Sequence, residues 1–248
     1  MTNPTPAGKD ELYAYDGLSR LTVAIAGGVS PETAARAHDA QASLATHYGD
    51  KQHLHGMLDS DMAGMTKLGD AEKAAMWQKG VRDEILDRYA NAQTSTNQDH
   101  RDEMMGEIAH TIADLRSPPH VSRENGSEGP ITRVSDYQAQ DHDKHRSWEH
   151  LEKADVKDLD KALARAVKAK DAKAATIIKA ALQARQDTVA LIRMANRGAS
   201  PQEIAKWLVE GQKAPLRMSD KGVKVGGSDA RYRHQAKDRE MGGVISSP

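Results

Sequence analysis

Ala74, Trp77, Val81, Ile85 and Tyr89 recur at steps of three and four residues, the interval that puts side chains on one face of a helix. The stretch "GDAEKAAMWQKGVRDEILDRYANAQ" is therefore predicted helical, with Asp70 as its N-cap. After "STNQDH" a second helix is predicted from Asp99 to Leu115. Met104, Met105, Ile108, Ile112 and Leu115 share one of its faces, and Pro118 and Pro119 forbid its continuation. Upstream, helical patterning begins near Asp16 and breaks at "GGVSPET". There Gly27 and Gly28 stop one helix, and Ser30, Pro31 and Glu32 start another that runs to about Tyr48. Residues 54–65 show no clear period.

The back of the chain repeats the helical period. Leu159, Leu163 and Val167 line one stretch. Ile178, Leu182, Val189 and Ile192 line the next, with Arg185 in the remaining position of the stripe. Residues 151–196 read either as one long helix or as a helical hairpin turning near "KAKDAKAA", and in either form the stripe needs a partner helix. The stretch "RGASPQEIAKWL" then carries a full set of helix-boundary signals. Gly198 suits a left-handed stop and Ser200 an N-cap. Pro201 suits the first helical position, and Glu203 completes a capping box. A tight, small-residue turn between two helices is what a helix-turn-helix needs. Residues 211–227 read as a Gly- and Lys-rich loop, and Ser228 would cap a last basic helix, "SDARYRHQAKDREM".

Composition sharpens this pattern. The 248 residues include no Phe and only 4% aromatic residues, and mean hydropathy is -0.72. A core of Ala, Leu, Ile, Val and Met suits close helix packing rather than a large sheet. The expected fold is all-α: an elongated multi-helix protein with a helical front, a linker, and a long helix or hairpin leading to a helix-turn-helix-like corner. The expected divisions are a flexible N-terminus at 1–15, an acidic helical domain at 16–116, a linker at 117–135 and a basic helical region at 136–248. The corner falls within 185–240. The linker rests on "SPPHVSRENGSEGPITR", which is dominated by Pro, Gly, Ser and Asn.

Charge divides the chain at much the same place. Residues 1–150 hold 15 Lys+Arg against 24 Asp+Glu, a balance of -9; residues 151–248 hold 20 against 12, a balance of +8. The basic half is suited to nucleic acid or to an acidic protein surface, and equally to attraction between the two halves. On the DNA reading, Arg231, Arg233, Lys237 and Arg239 on the last helix would contact phosphates or guanine edges. Lys206, Lys213, Arg217, Lys221 and Lys224 would support them.

The stretch "ALIRMANRGASPQEIAKWLVEGQKAPLRMSDKGVKV" resembles the DNA-binding tail of the large serine recombinases and resolvases, over about residues 188–238. Gly198, Ser200, Ile204, Ala205 and Leu208 carry the resemblance, which implies a helix-turn-helix. Nothing in the front half resembles the catalytic domain of that family. "YAYDGLSRLT" is similar to a single YD repeat unit of large secreted toxin shells, which work only as tandem arrays.

Candidate chemistry adds little at this level. Glu107 and His110 form one ExxH on a helix face, but the second ExxH of a di-iron bundle is missing. His142, His145 and His150 lie beside Asp141 and Asp143, a group able to hold zinc or nickel, and read more simply as exposed polar residues. His53 and His55 suggest nothing further. There is no Cys, so thiolate sites are excluded, and the common nucleotide-binding, zinc-protease and nucleophile-elbow motifs are absent. The sequence therefore predicts no catalytic residue, no metal ligand and no cofactor. It predicts a non-enzymatic DNA-binding or accessory protein. The alternatives are an assembly component (internal virion, scaffolding or adaptor) that oligomerises through its helices, and a secreted effector or toxin fragment. DNA, a protein partner and self-association are the expected partners. Without a leader or a membrane span, a cytoplasmic or virion-associated setting is expected.

Overall fold

A computed structural model of the chain describes residues 49–59, 62, 64–136 and 156–226. A 3-10 helix, Gly49–His55, precedes helices α1 (Asp70–Thr94) and α2 (Gln98–Asp114) and strands β1 (Val121–Arg123) and β2 (Ile131–Val134). Helices α3 (Val156–Lys168), α4 (Ala172–Asn196) and α5 (Pro201–Val209) follow, then β3 (Lys224–Val225). The fold is mostly helical with one small sheet, the class the apolar period predicts. No helix among the described residues is long and apolar enough to cross a membrane.

The predicted face of α1 is the buried one: Ala74, Trp77, Val81, Ile85 and Tyr89 all turn inward. Its start differs by one residue. Gly69 is the N-cap and Asp70 the first helical residue, and Glu72 Oε2 accepts from the Gly69 N–H at 2.9 Å. Helix α2 packs on α1 with Ile108, Ile112 and Ala109 buried, and Asn97 Oδ1 accepts from the His100 N–H at its start. Of the two readings of 151–196, the hairpin is the one observed. It turns at Ala169–Asp171, with Lys170 left-handed at φ 57° and Asp171 capping α4 through the Ala174 N–H. Ala180, Ala181 and Ala184 let α4 approach its neighbours closely, burying Leu191 and Ile192 in the same core.

The segment 117–135, read from composition as a linker, is instead a buried β-hairpin. Val121 pairs with Val134 and Ser122 with Arg133, and Asn125 (φ 56°) and Gly126 (φ 86°) make the turn. The Pro, Gly and Asn that suggest a linker build this tight turn, and the few apolar residues, Val121, Ile131 and Val134, are all buried. The expected loop 211–227 supplies a third strand. It runs parallel to β2, with Arg133 opposite Lys224, and the Ile131 N–H donates to the Arg217 carbonyl at 2.7 Å. Residues on both sides of the supposed linker share one buried cluster, so the core has no break there.

Two buried arginines tie these pieces together. Arg116 donates through Nε to Asp187 of α4 at 2.5 Å, and its other nitrogens donate to the carbonyls of Ser127 and Lys213. Arg123 donates to the carbonyls of Leu115, Gly129 and Pro215. Burial lowers Arg123, and the neighbouring Arg116 charge adds to that effect. The corner at 197–208 forms as its capping chemistry predicts. Gly198 sits at φ 72°, the Glu203 N–H donates to Ser200 Oγ at 3.2 Å, and the Ser200 N–H donates to Glu203 Oε2 at 2.8 Å. Helix α5 then lays Ile204 and Leu208 into the core against α1, and Tyr89 Oη donates to the Ala199 carbonyl at 2.8 Å.

Candidate metal centre

The last turn of α2 meets the 3-10 helix at a point where chain geometry leaves no choice of residue. Gly56 turns the backbone left-handed (φ 63°), and a Cβ there would lie 3.2 Å from a Leu115 side-chain carbon and 3.3 Å from the Leu115 backbone nitrogen. Only glycine permits this approach without displacement. Thr111 Oγ1 donates to the Leu54 carbonyl at 2.8 Å, and the His53 N–H donates to Asp59 Oδ1 at 2.9 Å, closing the turn. His55 is thereby set against the inner face of α2.

On that face stand His110 and Asp114, one helical turn apart. His55 Nδ1 lies 3.0 Å from Asp114 Oδ2 and 3.0 Å from His110 Nε2, and His110 Nε2 lies 3.1 Å from the same Asp114 oxygen. The three donor atoms form a nearly equilateral triangle. Ligands about 2.05 Å from a cation sit about 2.9 Å apart at a right angle and about 3.3 Å apart at the tetrahedral angle, so these edges match a shared divalent ion. Two imidazoles and a carboxylate are a donor set for zinc or another first-row transition metal. His55, His110 and Asp114 are the group of described residues whose spacing suits a metal ion.

The second oxygen of Asp114 faces elsewhere. The turn after α2 brings His120 back, with Nδ1 3.6 Å from Asp114 Oδ1. That gap is wider than a hydrogen bond and close to the separation of two ligands on one tetrahedral ion. The Ser117 hydroxyl, in the same turn, is fully buried without a hydrogen-bond partner among the described residues, the kind of orphan that a water or an ion explains. His55, His110, Asp114 and His120 are all buried. Burial pushes the Asp114 carboxyl up. The charges of His110 and His120 and the hydrogen bonds from His110 and His55 outweigh it, so Asp114 is held well below the usual carboxylate range and ionised.

The sequence predicts no metal ligand here: it treats His55 as uninformative, names His110 only in an incomplete ExxH, and does not single out Asp114 or His120. The ExxH reading paired the wrong groups. Glu107 turns to Arg88, with 2.5 Å between Oε2 and Nη1, whereas His110 faces inward to His55 and Asp114. The usable signal is the His–x3–Asp spacing from 110 to 114, which a search for ExxH passes over. His142, His145 and His150 lie outside the described residues. The chain leaves β2 beside this centre: the Ser135 N–H donates to the His120 carbonyl, and the Leu58 N–H to the Ser135 carbonyl, each at 2.9 Å.

Among the described residues, three of the lysines predicted to contact DNA lean on carboxylates. Lys206 pairs with Glu210, Lys213 with Glu128 at 3.2 Å and Lys221 with Glu124 at 3.7 Å. Arg217 is half-buried in the segment leading to β3, where its carbonyl accepts from the Ile131 N–H of β2, and Lys224 is exposed on β3. Arg231, Arg233, Lys237 and Arg239 lie outside the described residues. The chain matches no protein-family model, no curated protein and no solved structure.

Proposed function

We propose that this chain is a metal-dependent hydrolase whose centre is His55, His110 and Asp114, with His120 placed to share the Asp114 carboxylate with a second cation. The observation that carries this reading is the division of Asp114. One of its oxygens closes the triangle with His55 and His110, and the other faces His120. With Asp114 facing both edges, His55, His110 and Asp114 would hold one cation and His120 with the other Asp114 oxygen would hold a second, and such a pair would supply Lewis-acid activation of a displacement. Phosphate esters are the substrate class such a pair fits best, because their non-bridging oxygens carry the charge it would neutralise. The ionised state of Asp114 suits cation binding without loss of a proton at neutral pH.

The test is metal stoichiometry together with hydrolysis. Zinc-loaded protein should carry firmly bound metal and cleave bis(p-nitrophenyl) phosphate. Asp114→Asn should lose both properties, and His120→Gln should lose one equivalent of metal and most of the turnover. Protein that binds no zinc refutes the centre. Burial of all four side chains favours a second reading, a closed structural ion that clamps the 3-10 helix to α2. Tightly bound zinc without hydrolysis would select it.

A further inference from the structure

We infer that the tip of the α3–α4 hairpin is a binding surface for the phosphate backbone of nucleic acid. Within the nine residues 165–173 the tip carries Arg165, Lys168, Lys170 and Lys173, all exposed. Among the described residues none of the four has an ion-pair partner, whereas Lys206, Lys213 and Lys221 each lean on a carboxylate. The tip's single acid, Asp171, already accepts the Ala174 N–H as the α4 N-cap. Four cations against one carboxylate leave a clear positive excess on one short turn, whose mutual repulsion an external polyanion would relieve.

The chemistry of the tip selects among polyanions. A membrane surface or a protein interface would want an apolar wedge or aromatic anchors beside the charge. The tip offers only Val167, 60% exposed, among alanines, while Leu159, Ala166 and Ile178 face the core. Counterion release from nucleic acid needs no apolar contact. The arrangement therefore fits a phosphate backbone, contacted without sequence preference. It stands apart from the metal centre and does not depend on it.

Binding of the full chain to a fluorescent 20-base-pair duplex, measured by anisotropy in EDTA between 50 and 200 mM salt, tests this. Four phosphate contacts give a log–log salt slope of about -3.6, so affinity should fall roughly 100-fold over that range. The variant Arg165→Gln, Lys168→Gln, Lys170→Gln, Lys173→Gln keeps good helix formers and should fold, checked by circular dichroism, yet lose most of the affinity and of the slope. A control variant, Lys206→Gln, Lys213→Gln, Lys221→Gln, should bind as the wild type does. Absent or salt-independent binding overturns the inference. So does undiminished binding by the tip variant, an equal loss in the control, or tighter binding to vesicles containing phosphatidylserine than to the duplex.

Discussion

Replacing Gly56 with Ala tests whether the candidate centre depends on the close approach of two backbones. The added methyl meets two penalties. A left-handed φ of 63° costs an alanine about 1–2 kcal/mol. The Cβ also falls 3.2 Å from a Leu115 side-chain carbon, 3.3 Å from the Leu115 nitrogen and 3.4 Å from the Asp114 carbonyl carbon. Two of those neighbours are helix backbone that cannot yield, so the turn must move outward by a few tenths of an ångström. Together the penalties come to about 2–3 kcal/mol, a sizeable part of a typical 5–15 kcal/mol stability. With a urea m-value near 2 kcal/mol per molar, the midpoint should fall by about 1–1.5 M. The same shift pulls His55 Nδ1 from its 3.0 Å contacts, so zinc affinity should fall with it. Gly198→Ala is the matched control. It has φ 72° and nothing within 4 Å of the new methyl, so it should cost about 1–2 kcal/mol and leave zinc binding untouched. Equal destabilisation by the two variants, or wild-type zinc affinity in Gly56→Ala, would show that the close approach at Gly56 does not position His55.

Ser200→Ala removes the acceptor of the Glu203 N–H and should lower stability by about 1 kcal/mol in urea titrations, with α5 still docked through Ile204 and Leu208. Arg116→Met leaves Asp187 buried without its cation and should cost about 3–5 kcal/mol, whereas Arg116→Met with Asp187→Leu should recover much of that; a double mutant no more stable than the single would contradict a coupled pair. Asp114 contributes a signed pH dependence to the metal-free protein. Its folded pKa is depressed, so its contribution is complete above the unfolded value of about 3.9 and is lost as pH falls through the folded value. Urea midpoints of wild type and Asp114→Asn should therefore converge below about pH 4, and a constant gap down to pH 2 would disprove the assignment.

The helices are legible because each needs only local information. The α1 stripe from Ala74 to Tyr89, the proline stop after α2 and the Ser200–Glu203 box each lie within a few turns of chain. The sheet is not legible locally. β1 and β2 are short, their turn is rich in Gly and Asn, and the parallel partner β3 arrives from about ninety residues away. Composition read this buried hairpin as a linker because its polar residues are satisfied at long range: Arg123 reaches the Pro215 carbonyl, and Ser219 reaches Glu124. The candidate metal centre hides for the same reason. His110 and Asp114 are one helical turn apart and could be paired from spacing, but His55 joins them only because Gly56 allows a second segment, fifty-five residues upstream, to touch the helix.

The charge split also changes meaning in three dimensions. Read along the chain, an acidic front and a basic back are as well suited to each other as to a partner. The structure places Lys213 and Lys221 of the back against Glu128 and Glu124 in the turn between β1 and β2, so part of the imbalance is spent internally. Those pairs are exposed or half-exposed and contribute little to stability, but each lowers the local potential that a polyanion would meet. The helix-turn-helix-like corner also neutralises itself: Arg197 pairs with Glu203, and Lys206 with Glu210. Its apolar face is committed to α1, and its capping groups to one another. The hairpin tip has the opposite balance, with four exposed cations and one acid already engaged. An electrostatic partner of the described residues would therefore be drawn to the α3–α4 turn before the corner. If the duplex instead protected Lys206 and Lys213 from acetylation and left Lys168, Lys170 and Lys173 reactive, this ordering would be wrong.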